Sequence, residues 1–289
     1  MKPAERLSAL LRAPGCTVAP GAYDAWSARL IAQAGFEACY LTGFGASASH
    51  LGAPDIGLMT GSEMADMAAR AAAAIDIPVI ADADTGYGNE INVRHTTRAY
   101  RRAGVAAIQI EDQDFPKRCG HLDGKRVIGC AEMVAKIAAA KDIAGDDLLV
   151  VTRTDSRAML GLDEALDRGC AFRDAGADVV FVESPLDRAE QEAICATVTG
   201  VPLLANMVEG GKSPYLDAPT LAEIGFAVAI FPITALAAAT RAMQTALGTL
   251  ARDGRADSTT ISSFEDLHVV SGLAGYLAYG QAAEEEPAA

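Results

Sequence analysis

Residues 103–110, Ala103-Gly104-Val105-Ala106-Ala107-Ile108-Gln109-Ile110, decide the fold, because the same phrase returns along the chain. It reads Ala34-Gly35-Phe36-Glu37-Ala38-Cys39-Tyr40-Leu41 upstream and Ala175-Gly176-Ala177-Asp178-Val179-Val180-Phe181-Val182 downstream, with a weaker copy at Ile224-Gly225-Phe226-Ala227-Val228-Ala229-Ile230. In each copy a helical pattern stops at a glycine suited to the left-handed C-cap, and an apolar run of strand length follows. Each copy is therefore the joint between a helix and the next strand.

Further apolar runs at Thr17–Pro20, Pro78–Ala81, Leu148–Val151 and Pro202–Ala205 bring the strands to eight. Near-continuous apolar strands alternating with helices imply a parallel sheet covered on its outer face. Eight such units in about 230 residues predict an α/β fold of the closed (β/α)8 TIM-barrel type, which takes about 250. An open doubly wound sheet would carry a Gly-rich phosphate turn after its first strand. Pro20-Gly21-Ala22-Tyr23-Asp24 lacks that spacing.

The flanks are helical. Met1–Pro14 reads as a short capping helix with Leu7, Leu10 and Leu11 on one side, and Ile233–Arg252 as a long helix with Leu236, Met243, Leu247 and Leu250 on one face. Residues 1–254 are expected to form the catalytic barrel, and 255–289 a linker, a C-terminal helix over Phe264–Tyr279 and a disordered tail. An extra apolar helix needs a surface to cover, so it is expected to make an oligomer contact, exchanged between subunits.

The composition narrows the function classes. With 51% hydrophobic residues the 289-residue chain can bury a large core. Lys and Arg total 24 against 38 Asp and Glu, a net charge of −14, which disfavours nucleic acid and anionic membrane as partners and points to a small-molecule ligand. Six cysteines without paired spacing read as reduced thiols, mostly small buried hydrophobes. No apolar segment approaches about 18 residues and no signal-peptide pattern opens the chain, so a cytoplasmic protein is expected.

The polar residues cluster at strand C-termini. Strand two runs into Tyr40, Thr42 and Gly43, strand three into Asp82 and Asp84, and strand four into Glu111 and Asp112. Strand five runs into Arg153 and Asp155, strand six into Glu183 and strand seven into Asn206. Barrels of this kind carry their active sites on that face. Helix capping explains one carboxylate, but not a series that includes Arg153 and Asn206.

Asp82 and Asp84 fall on one side of an extended strand. With Glu111 from the neighbouring strand and Asp55 from its loop they make an all-oxygen set suited to Mg2+ or Mn2+ rather than zinc. Beyond Glu111 runs Asp112-Gln113-Asp114-Phe115-Pro116-Lys117-Arg118-Cys119-Gly120-His121. A thiol among cations has its thiolate favoured, which makes Cys119 the candidate acid/base. The charged loop 114–129 around it is long enough to be a lid. Gly86-Tyr87-Gly88-Asn89 reads as a turn with a helix cap at Asn89 rather than an anion loop. Residues 209–214 lack a phosphate-loop spacing and are expected to line the pocket.

Asp82-Ala83-Asp84-Thr85-Gly86-Tyr87-Gly88, Glu111-Asp112-Gln113, Lys117-Arg118-Cys119-Gly120-His121 and Arg153-Thr154-Asp155 together resemble the isocitrate lyase/phosphoenolpyruvate mutase superfamily over about residues 5–250. The Lys-Arg-Cys-Gly-His run is specific for its carbon–carbon lyase branch, which disfavours phosphoryl or phosphonyl transfer. The resemblance implies Mg2+-dependent retro-aldol cleavage of a 2-hydroxy acid carrying a carboxylate on C3. It implies that Asp82 binds the metal directly, with Asp55, Asp84 and Glu111 acting through its waters. Cys119 would protonate the carbanion, and Lys117, Arg118 and His121 would tune it. Tyr40 and Glu183 would join them as catalytic groups. Arg153 would clamp a carboxylate, and Thr42, Gly43, Phe44, Gly120, Asn206 and Pro232 would bind substrate. The resemblance also implies a homotetramer.

Two departures bear on substrate. Methylisocitrate lyases usually show Ser-Gly-Gly where this chain has Thr42-Gly43-Phe44, and Glu-Phe-Gly where it has Glu209-Gly210-Gly211. The run Asn206–Pro214 is more similar to dialkylmalate lyases, so a smaller alkylated malate leads and 2-methylisocitrate follows. Oxaloacetate hydrolysis or decarboxylation, isocitrate cleavage, and a ligand-binding pseudoenzyme are the alternatives.

Overall fold

The computed structural model describes residues 1–120 and 124–285, with side chains through residue 280. Its strands are β1 (Thr17–Ala22), β2 (Cys39–Leu41), β3 (Val79–Asp82), β4 (Ala107–Glu111), β5 (Leu149–Thr154), β6 (Val179–Val182), β7 (Leu204–Asn206) and β8 (Val228–Phe231). All pair in parallel in the order β6-β5-β4-β3-β2-β1-β8-β7. A parallel bridge between Val180 and Leu203 joins β6 to β7 and closes the ring. The fold is the expected (β/α)8 barrel, and each strand overlaps an apolar run of the sequence.

Alternation along the strands divides the core into two layers. Tyr40, Ile80, Ala107, Val151, Phe181 and Ile230 form one cluster, into which Leu7 and Leu11 of the helix Pro3–Arg12 also pack. Leu41, Ala81, Ile108, Val150 and Val180 form the other, against helix residues such as Met64, Ile137 and Phe172. Polar residues of the first register, Gln109, Glu111 and Arg153, are thereby stacked above the apolar filling.

The joints behave as their chemistry requires. Gly104 ends the helix Glu90–Ala103 with φ +79°, a value that would strain any side chain. That helix begins at Asn89, whose side chain accepts hydrogen bonds from Ile91 N at 3.1 Å and Asn92 N at 3.4 Å. The turn before it is a cap, as its sequence suggests.

The chain divides into two compact units, Met1–Ala235 and Leu236–Ala289. The boundary expected at residue 254 falls inside the second, beyond the long helix Thr234–Asp253. The single C-terminal helix expected over Phe264–Tyr279 is instead two, Phe264–Ser271 and Leu273–Glu285. Gly272, in the left-handed region at φ +76°, stops the first. Among the described residues no helix is long and apolar enough to cross a membrane.

Candidate active site

The strand C-termini of the first unit surround a cavity of about 350 Å³. Tyr40, Thr42, Phe44, Asp55, Asp82, Glu111, Lys117, Arg118, Cys119, Gly120, Arg153, Glu183, Asn206 and Pro232 all line it. Gly43 and Asp84 belong to its framework. The Gly43 N–H faces Asp82 Oδ2 at 3.3 Å, and a Cβ at position 43 would stand 2.5 Å from that oxygen. His121 lies outside the described residues.

At one end of the cavity Asp82, Asp84, Glu111 and Asp55 converge, all buried. Asp84 takes a positive φ of 48°, a left-handed conformation uncommon for a non-glycine residue. Its N–H faces Asp82 Oδ1 at 3.2 Å. Strain at such a position is the kind stored at functional sites. The cation among these carboxylates is the Lys117 ammonium, 2.5 Å from Asp55 Oδ1 and 2.8 Å from Asp84 Oδ1. Burial opposes its charge, but Asp84, Asp55, Glu111 and Asp82 outweigh that and hold it protonated. Burial also pushes the Asp84 carboxyl up to about 6 against the pull of Lys117, and raises Glu111 well above the usual range against Arg153.

Among the described residues no three His, Cys, Asp or Glu side chains already stand in ligand geometry. The donor chemistry nevertheless fits a hard divalent cation. All four groups offer oxygen, and Glu111 Oε1 is buried with no hydrogen-bond partner. Burying a carboxylate oxygen that accepts nothing is costly, and a cation or its water would relieve that.

Arg153, expected to clamp a carboxylate, lines the cavity with its guanidinium already held by carboxylates of the protein. Its guanidinium forks onto Asp155, with Nε to Oδ2 at 2.8 Å and Nη2 to Oδ1 at 2.9 Å. It also lies 3.4 Å from Glu111 and 3.2 Å from Glu183, over the Phe181 ring. Its fork is thus engaged by the protein, which locks it as part of the wall. Glu183 accepts from Ser184 N at 2.8 Å and from Asn206 Nδ2 at 3.1 Å. Asn206 Oδ1 is left without a partner. The Tyr40 hydroxyl accepts from Gln109 Nε2 at 3.0 Å, and burial together with Asp82 raises its pKa well above 10, so it stays a neutral O–H.

Three other sequence expectations need correction. Asp112 and Asp155, read with the converging strand ends, do not line the cavity. Asp112 accepts from Thr154 Oγ1, Asp155 N and Arg168 Nη1, because period-two alternation turns it away from Glu111. Residues 209–214 do not line the cavity either; Glu209 is exposed and bonded to Tyr215 and Thr234, and only the preceding Val208 reaches in. Of the five cysteines other than Cys119 only Cys39 is buried; Cys16, just before β1, and Cys130, Cys170 and Cys195, in helices, are partly covered.

The loop carrying Cys119 has structure of its own. Gln113 bridges to Val127, and Asp114 N donates to Arg126 O at 2.8 Å, so its two arms pair. Gln113 also bonds the backbone of Arg118 at both N and O, at 2.9 and 2.8 Å. Gln109 and Gln113 take on their roles only in the folded structure. A polar residue inside an apolar strand run was the one signal for Gln109. The apolar lining from Pro54, Val208, Ile230 and Ile233 carried none, since these residues meet only in space.

Residues 7–251 match the family described as phosphoenolpyruvate phosphomutase. The chain belongs to this family. It is 46% identical to 2,3-dimethylmalate lyase of Eubacterium barkeri, over 92% of this chain and 94% of that one. It is 43% identical to 2-methylisocitrate lyase of Bacillus subtilis (strain 168), over 87% and 82%. A structure of oxaloacetate acetylhydrolase in complex with the inhibitor 3,3-difluorooxalacetate superposes with TM-score 0.95 at 35% identity, covering 99% of each chain. This member of the PEP mutase/isocitrate lyase superfamily is a carbon–carbon lyase. Divalent metals are used within the superfamily.

Proposed function

We propose that this chain is a Mg2+- or Mn2+-dependent lyase that cleaves the C2–C3 bond of a 2-hydroxy dicarboxylate bearing alkyl groups, a 2,3-dialkylmalate, with 2-methylisocitrate as the next candidate. The observation that carries the reading is one cavity lined by two unlike sets of side chains. Cys119 and the Asp82–Glu111 end are polar, whereas Phe44, Pro54, Val208 and Ile233 are apolar and suit alkyl substituents. The similarity to 2,3-dimethylmalate lyase supports the same substrate class.

Asp82 would hold the metal, with Asp55, Asp84 and Glu111 around its water shell. When bound it supplies Lewis acidity to the 2-hydroxyl and the adjacent carboxylate. The protein does the rest. Transfer of the hydroxyl proton to a carboxylate of the Asp82–Glu111 end lets the C2–C3 bond break, C2 becoming the carbonyl of a 2-oxo acid while the electron pair passes to C3, beside its own carboxylate. Cys119 gives C3 a proton. The locked Arg153 guanidinium holds positive charge on the cavity wall, and the Tyr40 hydroxyl and Asn206 can bond the substrate's oxygens. Arg118 stands at the rim, and His121 in the same run would assist the thiol. The working assembly we propose is a cytoplasmic homotetramer, which light scattering would check.

The test is a panel of 2,3-dimethylmalate, 2-methylisocitrate, isocitrate and oxaloacetate with Mg2+. Pyruvate is expected from the first, and absence of a 2-oxo acid from all of the hydroxy acids would end the lyase reading. Oxalate from oxaloacetate would instead favour the hydrolase reading, which the likeness to oxaloacetate acetylhydrolase supports.

A further inference from the structure

Lys125 is a buried cation that none of the chemistry above uses. It is 7% exposed, and its ammonium is 2.5 Å from the Gly120 carbonyl oxygen and 2.7 Å from Asp155 Oδ1. Asp155 is the carboxylate onto which Arg153 forks. The Lys125 side chain therefore ties the backbone next to Cys119 to the fixed end of β5 through an ionic contact on rigid structure. Gly120 is the one residue type that fits there, because a Cβ would collide with Arg153 Nη2 and come within 2.9 Å of Glu183 Oε2. The peptide after the cysteine is thus pressed flat against the cavity wall.

Three further bonds hold the adjoining residues, Arg118 and Cys119. Cys119 N donates to the Asp55 carbonyl at 3.2 Å, and the Gln113 amide holds both backbone groups of Arg118. Of these ties, that of Lys125 alone is charge-assisted and buried, so it is the strongest per contact. We propose that Lys125 is a positioning residue for Cys119: by bridging the Gly120 carbonyl to Asp155 it fixes the thiol over the carboxylate end of the cavity. This rests on the lyase reading in taking Cys119 as the proton donor, but the tether itself has its own readout. A misplacement of about 1 Å in such a group costs on the order of 100-fold in rate.

The experiment is site-resolved alkylation by iodoacetamide, read by peptide mass spectrometry, in wild type, Lys125→Met and Lys125→Arg. Cys39, fully buried in the barrel, is the internal control for global loosening. Lys125→Met should raise the alkylation rate of Cys119 by about 10-fold while leaving Cys39 protected, since a local opening exposes only its own segment. Lys125→Arg, which keeps charge and donors, should restore most of the protection. Should Lys125→Met fail to accumulate, Lys125→Gln keeps a donor with shorter reach and is read the same way. An unchanged Cys119 rate overturns the proposal, and so does a parallel rise at Cys39, which marks general destabilisation. If a substrate of the panel turns over, kcat should fall about 10- to 100-fold with KM within about twofold, because the tether acts on the proton donor and not on substrate contacts. If none turns over, the alkylation result still stands or falls alone.

Discussion

Glu111 and Asp112 are neighbours in the chain with opposite fates. Asp112 is fully bonded, at 2.7 Å from Thr154 Oγ1, 2.9 Å from Asp155 N and 2.9 Å from Arg168 Nη1. Glu111 has one oxygen 3.4 Å from Arg153 Nε and the other bonded to nothing. Both are buried, and burial raises both pKa values. The contrast extends to the clusters around them. Asp112, Asp155, Lys125 and Arg168 form a closed network in which the charges meet, whereas Asp82, Asp84, Asp55 and Glu111 crowd four carboxyl groups around Lys117 and the edge of Arg153 and leave Glu111 Oε1 unbonded. A closed network builds structure, and an open one waits for a ligand.

The sharpest test of the open cluster is the proton donor proposed to work with it, Cys119. Cys119→Ser should lower turnover by about 100- to 10,000-fold while Mg2+-dependent ligand binding, followed by calorimetry, persists. Unchanged turnover would remove Cys119 from the chemistry.

The closed cluster should respond in stability instead. Asp112→Ala leaves Arg168 only Glu164 and the Ile128 carbonyl, takes the acceptor from Thr154 Oγ1 and Asp155 N, and should cost about 2–4 kcal/mol in denaturant unfolding; a loss under about 1 kcal/mol would break the distinction. Its pH response follows from Asp155, held down to about 2 against an ordinary 3.8: burial opposes this, but Arg153 and Lys125 outweigh it. Because the folded value is the lower one, its stabilisation is complete above about pH 4 and fades as pH falls through 2. About 2 kcal/mol should disappear over that window, and the corresponding slope should be absent from Asp155→Asn. Asp84, pushed up to about 6, works with the opposite sign. Its contribution is lost as pH rises from about 4 to 6, so Asp84→Asn should flatten the stability curve there and not at acid pH.

The smallest effect concerns the apolar lining of the cavity. Phe44→Ala should shift the ratio of kcat/KM between 2-methylisocitrate and 2,3-dimethylmalate by about 10-fold toward the larger substrate, the usual scale for reshaping an apolar wall. An unchanged ratio would show that Phe44 does not set the size limit.

How much of this was written in the chain varies by scale. The repeat of helix, glycine and apolar run, as at Ala103–Ile110, encodes the barrel because each copy specifies a local joint and parallel strands of that period close on themselves. The polar strand ends pointed to the cavity for the same reason, since all barrel strands bring their C-termini to one face, and Lys117–Gly120 of the following loop line it too. The segment Phe264–Tyr279 was legible as helical, but its break at Gly272 was not, because an apolar period can run across a glycine.

What a linear reading could not reach is the pairing of charges. Whether Arg153 is free or forked, and whether Lys117 meets a thiol or two carboxylates, depends on which side chains cross a cavity from different strands. Electrostatic energy depends on distance and burial, neither of which is a property of residue order. Composition and spacing thus dictated the barrel and the residues at its mouth. Folding alone gave Asp112 its partners Thr154 and Arg168 and anchored Lys125 on Asp155, because both depend on partners tens of residues away.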